Sequence, residues 1–155
     1  MDKIQRDATI LVVDDEKAYC QAVADILGRY GFAVVQAHGV REAKTVLAAI
    51  TVDAILLDVM MPEVDGLTML GELSTVPSFL NVALVIVSAK STPADRSEAL
   101  KKGADAYLAK PYTVEELLKV LDGVLSRPDV QGTAPLGQYR MVRTRLAELD
   151  ARGED

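Results

Sequence analysis

The sequence predicts an α/β fold, a parallel five-stranded sheet wound with helices on both faces. Three observations carry that expectation. Short apolar runs without alternation, Ile10–Val13 and Ala54–Leu57 foremost, suit strands buried on both faces. Segments with helical periodicity lie between the runs. The two kinds of segment alternate over residues 8–127, a pattern that calls for right-handed crossovers and parallel strands.

The elements follow in order. Ile10–Val13 is the first strand and stops at Asp14. Residues 16–30 form a helix, with Tyr19, Val23, Ile26 and Tyr30 at 3.6-residue spacing and Gly31 where a helix end favours a left-handed residue. Ala33–Gln36 is a weaker second strand. Residues 40–50 repeat the helical pattern with Val40, Ala43, Val46, Leu47 and Ile50. Ala54–Leu57 is the third strand, ending at Asp58, and Leu67, Leu70 and Leu73 mark a shorter helix after Gly66. Val82–Val87 is the fourth strand. Thr92, Pro93 and Asp95 open a helix over 92–102, with proline at its first position and the spacing of a capping box. A fifth strand spans 105–108. Thr113 and Glu116 form a second capping box for a helix over 113–126, whose inner face is Leu117, Leu118, Leu121 and Leu125. Residues 128–137 hold two prolines and two glycines and read as a linker. Residues 138–152 form an amphipathic helix with Tyr139, Val142, Leu146 and Leu149 on one face, and 153–155 are a tail.

Composition narrows the functions available. The 155 residues are one domain's worth, 50% hydrophobic and 26% charged, a globular balance. Seventeen Lys and Arg against 23 Asp and Glu leave a net charge of −6, which disfavours nucleic acid and anionic lipid. The arginines at 140, 143, 145 and 152 are offset by Asp129, Glu148, Asp150, Glu154 and Asp155, a mixed solvated face. The 28 residues from 128 to 155 are too few for an independent DNA-binding domain, so no DNA binding is expected. One cysteine, Cys20, excludes an internal disulfide and a thiolate metal cluster, and a single His38 excludes a multi-histidine site. Both are read as structural or solvent-facing. No apolar run reaches the ~18–20 residues of a membrane span, and no signal-peptide core follows the N-terminus, so a cytoplasmic location is expected.

Polar residues stand where the apolar runs stop: Asp14, Asp15 and Glu16, then Asp58, Ser88 and Lys110. In an open parallel sheet the carboxyl ends of the strands form the ligand edge. Converging carboxylates repel one another unless a cation is present, and Mg²⁺ favours a few carboxylate or carbonyl oxygens plus water. Asp14 or Asp15, together with Asp58, supplies such a half-shell. Lys110 can neutralise a phosphoryl group beside Asp58, and Ser88 can donate one hydrogen bond to it. A carboxylate nucleophile with a metal, a hydroxyl and an ammonium is equipment for phosphoryl transfer. As plain structure, the acids after the first strand would cap the following helix.

These residues resemble the receiver domain of bacterial two-component response regulators, of the CheY-like kind. The likeness rests on Asp14 and Asp15 after LVV, Asp58 in LLDVMMPEVDG, Ser88 and Ala89 after VIV, and Lys110 and Pro111 after YLA, within residues 8–127. It implies a flavodoxin-like (βα)5 sheet in the order 2-1-3-4-5. It implies that Asp58 accepts a phosphoryl group from a phosphohistidine of a sensor histidine kinase or phosphotransfer protein. Mg²⁺, for which Mn²⁺ can substitute, would be held directly by Asp15, largely through water by Asp14, and by Asp58 and the backbone carbonyl of Met60. Ser88 and Lys110 would grip the acyl phosphate. Tyr107 would swing inward as Ser88 moves, and the Lys110–Pro111 peptide would be cis. The switched surface would be the helix 92–102, strand 105–108 and helix 113–126 face, meeting a downstream protein. A homodimer through that face or through the tail helix is a further arrangement the likeness admits.

The chain is thus expected to relay information, with self-phosphorylation and autodephosphorylation as its only chemistry. A receiver cut from a longer regulator and a non-phosphorylated pseudo-receiver are the alternatives. An aspartate-nucleophile phosphatase of the haloacid-dehalogenase type would need a second aspartate at position 60, which is Met. A kinase would need a glycine-rich phosphate loop that the sequence lacks. Met60 and Lys90, two residues after Asp58 and Ser88, flank the phosphoryl position. Met60 cannot orient an attacking water, and Lys90 can pair with phosphate, so a long-lived phosphoryl state is expected. Ser88 stands where threonine is commoner, keeping the hydroxyl and losing a methyl that would couple it to Tyr107.

Overall fold

A computed structural model describes residues 7–60, 68–71 and 82–126. The expected linker (128–137), tail helix (138–152) and tail (153–155), with Leu67 and Leu73, lie outside the described residues. The strands are β1 (Thr9–Val13), β2 (Ala33–Ala37), β3 (Ala54–Leu57), β4 (Ala83–Ser88) and β5 (Ala106–Ala109). The helices are α1 (Lys17–Arg29), α2 (Val40–Ala49), α3 (68–71), α4 (Pro93–Lys101) and α5 (Val114–Leu125). All strand pairs are parallel, in the order β2-β1-β3-β4-β5. This is the doubly wound, flavodoxin-like sheet. The chain reverses direction of growth across the β1–β3 junction, which is where such sheets open a crevice.

Alternation along each buried strand feeds two separate cores. Leu11, Val13, Ile55, Leu57, Leu84 and Ile86 pack on one face with Ala43 and Leu47 of α2, Met69 and Leu70 of α3, and Ala99 of α4. Ile10, Val12, Leu56, Val85 and Val87 pack on the other with Val23 and Leu27 of α1 and Leu117 and Leu121 of α5. With both faces covered, a polar residue is tolerated only where a strand ends, and this confines the functional groups to one edge. Among the described residues, no helix is long and apolar enough to cross a membrane.

Several boundaries and faces differ from expectation. β4 and β5 each begin one residue later than the apolar pattern suggests, so Ser88 closes β4 instead of following it, and Asp105 precedes β5. The reason at β5 is a bond: the Asp105 carboxylate accepts the Leu84 amide at 2.7 Å while its own amide donates to the Leu84 carbonyl at 2.7 Å. Asp53 does the same for Thr9 before β3, at 2.7 and 2.8 Å. Both aspartates satisfy amides near the start of a neighbouring strand. The buried stripe of α1 is Cys20, Val23 and Leu27, with Tyr30 exposed as the C-cap residue. Ile50 is likewise an exposed C-cap, in extended conformation after α2. Gly31, with φ 96°, turns the chain after α1. Both capping boxes are formed, Thr92 with Asp95 and Thr113 with Glu116.

Candidate functional site

Four of the five strand ends deliver a group to the carboxyl edge. Asp14 follows β1, Asp58 follows β3, Ser88 ends β4, and Lys110 follows β5. Asp14 is 1% exposed and Asp58 8%, whereas Asp15 faces solvent. Carboxylate oxygens of the three lie within 4.8 Å of one another, a hard-donor set that suits a divalent cation. The acids are not spent on capping α1: Glu16 is its N-cap without a side-chain bond, and α1 has no acid in its first turn.

Hydrogen bonds hold the two buried carboxylates in place. Asp14 Oδ1 accepts the Glu16 amide at 2.9 Å, and Asp58 Oδ1 accepts the Met60 amide at 2.8 Å. Both are tight two-residue turns that aim the second oxygen into the crevice. There the Lys110 ammonium donates to Asp14 Oδ2 at 2.8 Å and stands 3.5 Å from Asp58 Oδ2. Lys110 therefore rests against Asp14, closer than to the aspartate beside which the sequence reading placed it. Burial raises the Asp58 pKa, the Met60 amide and Lys110 oppose that rise, and Asp14 adds to it. Partial burial works to lower the Lys110 pKa, but the bond to Asp14 and the charges of Asp58 and Asp14 outweigh it, so the ammonium is held protonated.

Ser88 is fully buried; its Oγ accepts the Lys90 amide at 3.1 Å, and its carbonyl accepts the Lys110 amide at 2.9 Å. The β4 and β5 exits are thereby tied together. Tyr107, on β5, is half-buried, and its hydroxyl donates to the Lys90 carbonyl. The Arg96 guanidinium lies 5.4 Å from the centre of its ring. Burial raises the Tyr107 pKa, the Ser88 side chain works to lower it, and the Asp95 charge adds to the rise. The Lys110–Pro111 peptide is cis. Met60 is 49% exposed, at the rim of the crevice.

The sequence reading gives two aromatics no part in the site, Tyr19 entering it only as one of an apolar helix stripe. Tyr19, in the first turn of α1, carries the Lys110 ammonium 4.1 Å above its ring centre. Tyr112 meets Tyr19 edge-on, with ring centres 6.5 Å apart at 83°, and the two hydroxyls are hydrogen-bonded. Burial first, then the bond between the hydroxyls, raises the Tyr19 pKa. The available signal was positional, an aromatic one helical turn past the acidic run and another just beyond Lys110 and Pro111.

Chemically the edge joins buried carboxylates, an ammonium and a buried hydroxyl, with a donor set that suits a divalent cation. A family model described as the response regulator receiver domain matches residues 10–122. The response regulator MprA of Mycobacterium bovis is 35% identical over 125 residues, covering 81% of this chain and 54% of its own length. The chain thus spans about half the length of the curated relatives it matches. The receiver domain of Francisella response regulator 1452 is 30% identical, with a TM-score of 0.69, over 76% of this chain and 95% of its own. The chemotaxis protein CheY4 of Vibrio cholerae is 29% identical, with a TM-score of 0.69, over 74% of this chain and 95% of its own.

Proposed function

Because the chain belongs to the receiver-domain family of two-component response regulators, we propose that its Asp58 accepts a phosphoryl group from a phosphohistidine. A sensor histidine kinase or a phosphotransfer protein supplies that group. The single observation behind the proposal is the convergence of Asp58, Asp14 and Lys110 at the β1–β3 crevice.

An Asp58 carboxylate oxygen attacks phosphorus in line, the P–N bond to the donor histidine breaks, and its electron pair stays on the imidazole nitrogen, which takes a proton. The product is an acyl phosphate on Asp58. Lys110 already lies within reach of Asp58, so moving its ammonium from Asp14 to a phosphoryl oxygen requires only a short displacement. Asp14, Asp15 and Asp58, with the Met60 carbonyl, would hold Mg²⁺, which when bound supplies the remaining positive charge for the phosphoryl oxygens.

The signal leaves through the loops that Ser88 and Lys110 command. A phosphoryl group brings about −1.5 to −2 charges and three acceptor oxygens, so both residues gain a new partner. Ser88 presently accepts from the Lys90 amide, and Tyr107 donates to the Lys90 carbonyl. Turning the Ser88 hydroxyl toward phosphate therefore acts on the same loop that anchors Tyr107. The α4–β5–α5 face changes with it, and a protein bound there is reciprocally coupled to phosphorylation. This reading makes the chain a relay in the cytoplasm and not an enzyme with turnover.

Intact mass tests it. Acetyl phosphate or phosphoramidate with Mg²⁺ should add one phosphoryl group to the wild type and none to Asp58→Asn. Omitting Mg²⁺ should abolish the gain. No gain in the wild type under any condition rejects the reading in favour of a constitutive interaction module.

A further inference from the structure

We propose that Tyr19 is a positioning residue for phosphoryl transfer, its ring face holding the Lys110 ammonium over the Asp14 and Asp58 carboxylates. The inference rests on the reading of Asp58 given above and extends it to a residue outside the strand-end set.

Three observations converge. Lys110 Nζ is 4.1 Å from the Tyr19 ring centre, inside the range in which an aromatic face attracts a cation. The same nitrogen is 2.8 Å from Asp14 and 3.5 Å from Asp58, so one ammonium meets the ring and both carboxylates at once. The ring is itself fixed, because its hydroxyl bonds that of Tyr112 and the two rings meet edge to face. Tyr112 lies two residues beyond Lys110 on the β5 exit, and Tyr19 lies on α1. The pair therefore joins the helix that follows the acidic run to the loop that carries the lysine.

A lysine stem has four methylene carbons with free rotation about its bonds, and an ammonium held only by carboxylates can follow either carboxylate. A flat aromatic wall removes conformers that point away from the crevice, so less freedom is lost when Lys110 meets a phosphoryl oxygen. The hydroxyl pair serves to orient the wall; the wall itself needs only a ring. A cation–aromatic contact at a partly exposed site corresponds to about two- to fivefold in rate.

The test compares Tyr19→Phe and Tyr19→Leu with wild type in the full chain by two measurements. The first is the proton shift of the Lys110 ε-methylene, taken by NMR without phosphodonor or Mg²⁺. The second is the rate of phosphoryl uptake from acetyl phosphate with Mg²⁺. In wild type and Tyr19→Phe the ring current should move the ε-methylene upfield, and in Tyr19→Leu it should return to its ordinary position. Uptake in Tyr19→Leu should be about two- to fivefold slower, with Tyr19→Phe restoring most of the difference. If Tyr19→Leu does not fold, Tyr19→Met, also without a ring, replaces it. An unshifted ε-methylene in wild type, equal uptake in the ringless variant, or a Phe variant as slow as it overturns the inference. A wild type that takes up no phosphoryl group fails the Asp58 reading itself, a result independent of residue 19.

Discussion

Lys110 donates to Asp14 at 2.8 Å, an ion pair formed between residues 96 positions apart in the chain. Asp14 is 1% exposed on its side chain and Lys110 19%, so the pair is largely withdrawn from water. Removing one member of a buried pair leaves the other charge uncompensated. With Lys110→Met, Asp14 and Asp58 face each other without the ammonium. In EDTA the variant should lose about 1–3 kcal/mol, below the fully buried range because Lys110 keeps some solvent. Millimolar Mg²⁺ should recover more stability in the variant than in wild type, since no ammonium then competes for the carboxylates. Urea unfolding with and without Mg²⁺ measures both. An unchanged midpoint in EDTA would sink the argument.

The two-faced sheet makes a prediction that a one-faced sheet would not. Ile10 and Leu11 are adjacent, both 0% exposed, and belong to opposite cores. Ile10→Ala and Leu11→Ala should each cost about 2–5 kcal/mol, the range for deleting a buried aliphatic side chain. Chemical denaturation decides it: if either variant stays within about 0.5 kcal/mol of wild type, as surface changes do, that face is not packed as described.

Such double burial explains why much of the fold was legible. Ile10–Val13 and Ala54–Leu57 lack alternation because both faces are covered, and Asp14 and Asp58 are conspicuous because they interrupt those runs. Thr92 and Thr113 were readable as caps because a cap is a local bond between residues three apart. Less was legible where the cause is distant. The late start of β5 follows from Asp105 bonding Leu84, 21 residues away, and periodicity carries no record of it. On α1 the apolar pattern placed Val23 correctly but fell one residue early at Tyr19 and Ile26, because Cys20 and Leu27 are the ones that meet the sheet. The preference of Lys110 for Asp14, and its seat on Tyr19, depend on where three separate chain segments meet.

The α4 capping box should be visible in a titration. Asp95 accepts hydrogen bonds from the Thr92 hydroxyl at 2.8 Å and the Thr92 amide at 3.1 Å, and the Thr92 side chain leads in lowering its pKa. A depressed carboxyl pKa contributes stability that is present above the unfolded value, about 3.9, and is lost as pH falls through the folded one. Thr92→Ala should move the Asp95 midpoint up toward the unfolded value, read from its β-proton shifts by NMR. A midpoint that does not move would remove Thr92 as the cause.

Cys20 should be inert in the native state. It is 0% exposed, its thiol donates to the Asp14 carbonyl at 3.3 Å, and burial leads in pushing its pKa up to about 11. At pH 8 only about one thiol in a thousand is then ionised, and only the thiolate reacts. Thiol labelling should be absent in buffer and complete in urea. Rapid labelling of the folded chain would place Cys20 somewhere other than beneath β1.

Met60 sets the expected lifetime of the phosphoryl state. Its amide is spent on Asp58 Oδ1, and its side chain is 49% exposed. A thioether is a poor hydrogen-bond partner for water, so nothing at this position aligns a nucleophile with the acyl phosphate. Lys90, exposed after β4, adds a positive charge that can pair with the phosphoryl oxygens. Replacing Met60 with Asn supplies one hydrogen bond to an attacking water; a bond of about 1 kcal/mol corresponds to about fivefold in rate. Met60→Asn should therefore lose its phosphoryl group several-fold faster than wild type, followed by mass after the phosphodonor is removed. If the variant decays at the wild-type rate or more slowly, the expectation of a long-lived phosphoryl state at this site is rejected.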